Sequence, residues 1–254
     1  MDSKQKVRGF SCSIHQIGNL GLQLLWSLVH LLISIGYFVV AAAAAVESYL
    51  ISSGLLTRYK VLNISKLKYL AIVIESDDAV QTSKVVQLLR WLEVMGVKRM
   101  CLYDAQGVLK KSKASIVKML DNAVLFEELD EKDLLEKPKC MALEFASMSD
   151  GKEGVVKAAN LLFAKYMELG NRDGLDDEFF TEAQVGEALR AVGCKGPEPD
   201  LLLVYAPVRC HLGFPAWRTR YTEIVHMGSL KSMRLGSLTK AIYKFTRVRQ
   251  NYGK

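Results

Sequence analysis

The sequence predicts an α/β domain, a mostly parallel sheet flanked by helices, preceded by one N-terminal transmembrane helix. Three observations carry this. From Gly9 to Val46 there is no Asp, Glu, Lys or Arg. Beyond about Asn63, short apolar runs alternate with longer segments of helical periodicity. The apolar runs lack polar alternation, so both faces of each strand are expected to be buried, as in a parallel sheet.

The anchor comes first. Gly21 to Val46 reads GLQLLWSLVHLLISIGYFVVAAAAAV, longer than the roughly 20 apolar residues that cross a bilayer core. A signal peptide has an apolar region of only about 7–15 residues, so the Ala41–Ala45 run is read as helix and not as a cleavage site. His30 falls in mid-span, where it is expected to be lipid-tolerated or partner-facing and not a metal ligand. Residues 1–20 form an N-terminal segment, 21–46 the span, 47–66 a juxtamembrane linker and 67–254 the folded domain. Lys4, Lys6 and Arg8 precede the span, while Arg58, Lys60, Lys66 and Lys68 follow it, which leans toward a cytosolic C-terminal domain. Asn63-Ile64-Ser65 is a glycosylation sequon used only if that side is luminal.

The strands and helices follow in alternation. Tyr69–Ile74, Arg99–Asp104, Met141–Ala146 and Asp200–Tyr205 are expected strands. After the first, Val85, Leu89 and Leu92 share a helical face that Gly96 terminates. Ile116, Leu120 and Val124 are expected on one stripe of a second helix, and 153–169 forms a third. Thr181 and Gln184 have capping-box spacing and open a helix through Ala191. Leu238, Ile242 and Phe245 give a final helix its packing stripe, with Lys240, Lys244 and Arg247 on another face. The charged segment 127–139 and the acidic segment 171–180 are expected surface loops.

Composition narrows the chemistry. Five cysteines without a CxxC pair argue against a disulfide frame or a zinc site. A net charge of +7 suits acidic lipid or diphosphate ligands, and no nucleic-acid motif accompanies it. Glu75, Asp77 and Asp78 lie where the first strand ends, the place where open α/β sheets bind ligands. Magnesium is one reading of that cluster, and a helix cap by Asp77 or Asp78 is the favoured one. There is no glycine-rich nucleotide loop and no nucleophile–histidine arrangement. On these grounds alone the chain reads as a membrane-anchored α/β domain without a catalytic centre of its own.

The last quarter resembles a known family. Pro199-Asp200-Leu201, Leu212-Gly213-Phe214, Trp217 and Thr222-Glu223-Ile224 are similar to the corresponding end of the cis-prenyltransferase (undecaprenyl diphosphate synthase) family. The stretches from Leu102 to Gly107 and from Asp150 to Lys152 add to the match, which covers Leu67 to the C-terminus. The resemblance is closest to the non-catalytic, Nogo-B receptor-like subunits of dehydrodolichyl diphosphate synthase. Catalytic members follow the first strand with Asp-Gly-Asn, where this chain has Ile74-Glu75-Ser76-Asp77-Asp78. The Arg…Arg-x-Ser set that holds isopentenyl diphosphate falls on Val204, Cys210 and Leu212, none of which donates to a diphosphate, while Arg209 is one position off and turned away.

The resemblance implies a role in a complex. In this family the C-terminus of one subunit crosses to the other's substrate site through an Arg-x-Gly motif. Here the triplet is Asn251-Tyr252-Gly253, so the implied diphosphate contacts are Asn251, Gly253 and, for the missing charge, Arg249. The chain itself holds no catalytic residue and no metal; Mg2+ and farnesyl and isopentenyl diphosphates are expected mainly on a catalytic cis-prenyltransferase partner. The implied setting is the endoplasmic reticulum membrane, with a single pass, membrane lipid around the anchor, and dolichol as the product's destination. Two alternatives stay open: a membrane scaffold or receptor without a synthase role, and a subunit of a rubber-type polyisoprene synthase.

Overall fold

The computed structural model describes residues 3–126, 140–170, 181–194 and 196–248. A long helix α1 (Ser3–Ser52) leads into β1 (Leu70–Ile74), α2 (Ser76–Ala79), α3 (Thr82–Met95) and β2 (Arg99–Asp104). Then come α4 (Val108–Lys111), α5 (Lys113–Lys118), β3 (Ala123–Leu125), β4 (Met141–Ser147) and α6 (Lys152–Gly170). The chain continues through α7 (Glu182–Ala191), β5 (Leu201–Tyr205), β6 (Glu223–His226) and α8 (Leu235–Arg247).

The six strands form one sheet in the order β3-β4-β2-β1-β5-β6, and every pairing is parallel. β1 is central and fully buried because both its faces are covered. Leu70, Ile72 and Ile74 meet Leu88, Leu89 and Leu92 of α3 and Leu238, Ile242 and Phe245 of α8 in the larger core. Ala71 and Val73 face Tyr103, Val204 and Phe214 on the other side. Each large apolar side chain buried in this way stabilises the fold by about 1.5–3 kcal/mol, which is why the apolar runs become strands.

Several expected elements form where the spacing placed them. Gly96 ends α3 in a left-handed conformation at φ +88°, its N–H reaching the carbonyls of Leu92 and Glu93. Thr181 caps α7, accepting from Gln184 N at 3.4 Å while Gln184 Oε1 accepts from Thr181 N at 2.8 Å. Two expectations need correction. Val124 does not continue a helical stripe with Ile116 and Leu120: α5 stops at Lys118 and Ala123–Leu125 pairs with β4 as an edge strand. The intervening Asp121-Asn122 pair favours a turn, and a β-branched residue follows it. Glu223–His226 adds an unexpected sixth strand, too short and too polar to stand out from its surroundings. The segments 127–139 and 171–180 expected as surface loops lie outside the described residues.

α1 is the one helix among the described residues long and apolar enough to cross a membrane, with a mean hydropathy of 2.2 in its most apolar window. Its apolar side chains from Leu20 to Val40 are exposed. Its last turns are not. Ser48 and Ile51 are buried against α8, Ser48 Oγ accepts from Ser237 N at 3.1 Å, and Lys240 Nζ pairs with Glu47 at 2.5 Å. Gly236 makes this approach possible, since a Cβ there would overlap the Ser48 carbonyl. Residues 47–66 therefore clasp α8 at both ends: at its far end Lys66 Nζ donates to the Thr246 carbonyl at 2.8 Å, and Tyr59 stacks edge-on against Tyr243. A cation on the last carbonyls of a helix also complements its dipole.

Candidate functional site

The C-terminal ends of the parallel strands form the natural binding edge of such a sheet. β1 delivers Glu75, Ser76, Asp77 and Asp78 there, β2 delivers Asp104, β4 delivers Ser147, and β5 delivers the loop beyond Tyr205. The carboxylates do not converge. Asp77 is exposed. Asp104 is fully buried, accepting from Val108 N and Leu109 N at 2.9 Å each and from Ser76 Oγ at 3.2 Å, so it fixes the start of α4. Asp78 turns the other way, toward the loop before α8. It accepts from Ser229 Oγ at 2.7 Å and Leu230 N at 3.1 Å and pairs with Lys231 Nζ at 3.2 Å. Burial opposes the charge on Asp78, but the hydrogen bonds from Ser229, Lys231 and Leu230 outweigh it and hold the carboxyl below its usual range. Neither Asp77 nor Asp78 caps α3, contrary to the favoured sequence reading: both lie within α2, and α3 starts after Gln81 with no side-chain cap.

The positions matching the isopentenyl diphosphate set are equally committed. Val204 is buried within β5, paired with Val73 on one side and His226 on the other. Cys210 is half-buried, and the neighbouring Arg209 is exposed. Leu212 adopts a left-handed backbone at φ +48°, and its carbonyl accepts from Tyr103 Oη at 3.1 Å. Phe214 then stacks edge-on to the Tyr103 ring with centroids 5.4 Å apart. Gly213 allows the close fit, since a Cβ there would stand 3.3 Å from Tyr103 Oη. Burial and the nearby Asp104 and Asp150 push the Tyr103 hydroxyl up to about 12, so it stays a donor at neutral pH. The loop after β5 thus folds onto the end of β2, where Tyr103, Leu212 and Phe214 pack against one another.

Asp150, in the stretch that contributed to the family resemblance, is bonded by Lys110 Nζ at 2.9 Å and by Ser147 N at 2.9 Å. Burial opposes its ionisation, and these donors reverse the balance. A buried charge that sequence reasoning missed is Arg218, 5% exposed. It clasps Glu144 of β4 with Nη1 at 2.9 Å and Nη2 at 2.7 Å, donates through Nε to the Pro197 carbonyl at 3.0 Å, and lies beside Tyr69, whose hydroxyl also bonds Glu144. Burial, with Cys101 and Glu144 close by, raises the Tyr69 hydroxyl well above its ordinary value. A signal was present: a glutamate in the middle of the buried run MALEFA requires a cationic partner. Arg218 is therefore a cation of the interior and not one offered to a ligand. Among the described residues no group of three or more His, Cys, Asp or Glu is placed to hold a metal.

The expected diphosphate contacts Arg249, Asn251 and Gly253 lie outside the described residues. What is described is their base: α8, with Leu238, Ile242 and Phe245 buried and Lys244 and Arg247 exposed in its last turns.

No protein-family model matches the chain. Among curated proteins it is similar to the human dehydrodolichyl diphosphate synthase complex subunit NUS1, 26% identical over 196 residues. That match covers 72% of this chain and 65% of the human protein, so the chain spans somewhat less than two thirds of that relative. The subunit of the same name from Schizosaccharomyces pombe is 21% identical over 209 residues, 74% of this chain and 77% of that one. Among solved structures, lavandulyl diphosphate synthase from Lavandula x intermedia superposes with a TM-score of 0.54 at 17% identity, over 74% of this chain and 98% of that one. The fold is cis-prenyltransferase-like, as the resemblance implied.

Proposed function

We propose that this chain is the non-catalytic, membrane-anchored subunit of a heteromeric cis-prenyltransferase. Its catalytic partner condenses farnesyl diphosphate with successive isopentenyl diphosphates into a long polyprenyl diphosphate for dolichol and protein glycosylation, at the endoplasmic reticulum with both domains cytosolic. The observation that carries the reading is the self-contained packing at the strand ends, where Tyr103, Leu212 and Phe214 pack together and Asp78 and Asp104 bind their own chain's donors. The names of the similar proteins, each a subunit of a dehydrodolichyl diphosphate synthase complex, support the choice of assembly.

These carboxylates do not fit magnesium, because each is aimed at a different donor. No step is therefore assigned to a metal on this chain; Mg2+ and both diphosphates belong with the partner. This chain contributes position. α8 is clamped by Glu47, Ser48, Tyr59 and Lys66, and from this fixed base the proposed role of residues 249–254 is to serve as an arm to the partner's site. There the Asn251 amide and the Gly253 N–H donate to diphosphate oxygens, and Arg249 supplies charge.

Co-expression with a catalytic subunit and a labelled isopentenyl diphosphate assay with product sizing tests this. The chain alone incorporates no label, the partner alone little, and the pair much more; equal activity from the partner alone sinks the proposal. Deleting Asn251–Lys254 lowers turnover while the two subunits still co-purify.

A further inference from the structure

α8 carries Lys240, Lys244 and Arg247 and no Asp or Glu. Ser237, Lys240 and Lys244 follow one another at spacings of three and four, so they form a stripe about 10 Å long on one side of the helix. The stripe borders a groove of about 230 Å³ between α8, the last turns of α1 and the edge strand β6. Ala44, Ile51, Val225 and Met227 supply its apolar lining, and His226 joins the stripe from β6. Among the described lining residues Glu47 is the sole carboxylate, and Lys240 Nζ takes it up at 2.5 Å. The Ser237 hydroxyl, the His226 ring and the Lys244 ammonium have no side-chain partner among the described residues. Elsewhere the chain answers its polar groups itself, as at Asp78, Asp104, Asp150 and Arg218.

We infer that this groove binds the phosphate of an anionic phospholipid headgroup where α1 leaves the bilayer, with the lipid's acyl chains against the exposed side of α1. The inference rests on the membrane-anchor reading. The exposed apolar side chains from Leu20 to Val40 cover about 30 Å of helix, the thickness of the hydrocarbon core. Ala44 and Glu47 follow about 6 and 10 Å beyond Val40, which sets the mouth of the groove at headgroup level. An ammonium, a hydroxyl and an imidazole together favour a ligand rich in acceptor oxygens and negative charge. The apolar lining, continuous with α1, favours an amphiphile over a soluble phosphate. Arg58 and Lys66 of the linker gather with Arg247 around the far end of α8, where Tyr59 meets Tyr243, so the surrounding field is positive as well. Basic clusters beside a transmembrane helix attract anionic lipid in this way. A zwitterionic headgroup carries its own cation next to the phosphate and gains less.

Lipid titration of the full chain in maltoside micelles tests this, with bound lipid counted by native mass spectrometry. Dioleoylphosphatidylserine is expected to bind about fivefold more tightly than dioleoylphosphatidylcholine, the factor that corresponds to about 1 kcal/mol for a cation at an anionic lipid surface. Lys244→Gln should remove that preference. Ala44→Phe, which fills the groove and leaves every charge in place, should weaken phosphatidylserine binding to a similar extent. Lys157→Gln/Lys165→Gln, on the exposed face of α6, gives up more charge and should bind as the wild type does. Equal affinity for the two lipids, unchanged binding in either groove variant, or an equal loss in the α6 variant overturns the site. Displacement of phosphatidylserine by inorganic diphosphate also overturns it, in favour of a soluble anion. Release of the wild-type chain from native membranes by alkaline carbonate would remove the anchor reading and the lipid site with it, while the co-expression assay reads the subunit role separately.

Discussion

Arg218 and Glu144 carry opposite charges into an interior that has little water to screen them. Removing one partner strands the other, at a cost of about 3–5 kcal/mol, whereas replacing both with apolar or neutral groups is often neutral. Arg218→Met is therefore expected to lower the thermal midpoint strongly, and Arg218→Met/Glu144→Gln to recover much of the loss, as read by melting of the detergent-solubilised chain. A double variant no better than the single would contradict the pairing energetics. Asp78 gives a second expectation with a definite sign. Its carboxyl is depressed in the folded chain, so its contribution is present above the unfolded value near about 4 and is lost as pH falls through the lower folded value. Asp78→Asn should cost about 1.5–3 kcal/mol at neutral pH and flatten the acid limb of the stability curve. At this scale the sequence was only partly legible. Glu144 announced a buried charge, but nothing along the chain shows that Arg218, 74 residues away, answers it. Asp78 read as a cap because caps are local, whereas its partners sit 151 and 152 residues on.

Elements were far more legible. The runs at β1, β2, β4 and β5 announced themselves because burial on both faces leaves no polar alternation, and Gly96 and Thr181 marked helix ends through local backbone chemistry. β3 and β6 were missed because three or four residues at a sheet edge carry too little pattern. The contact between α1 and α8 was also hidden, since Gly236 looks like any glycine until its neighbour is known. It yields a comparison between two glycines. Gly236→Ala forces α1 and α8 apart and should cost about 1–3 kcal/mol as an overpacked contact. Gly96→Ala meets nothing within 4 Å and should cost only about 1–2 kcal/mol of left-handed strain. Limited proteolysis separates the two: Gly236→Ala should open cleavage within α8, and Gly96→Ala should not.

At the scale of the whole molecule, the sequence separated an anchor from a domain and placed a linker between them. The structure carries α1 past the expected end of the span at Val46 to Ser52, because Glu47, Ser48 and Ile51 have partners on the domain. Deleting residues 1–46 should leave a folded domain, while deleting residues 1–54 should loosen α8 and expose Leu238 and Ile242, detectable by hydrogen exchange. The unbroken helix also behaves as a threaded shaft. Each residue inserted after Ala43 turns the domain by about 100° about the shaft and shifts it about 1.5 Å along it. One or two inserted residues would thus swing the arm-bearing end of α8 to a new bearing above the bilayer, whereas seven would return it nearly to its original heading at a greater height. Activity of the complex plotted against insert length should then oscillate with the helical repeat, where a flexible tether would give a smooth curve.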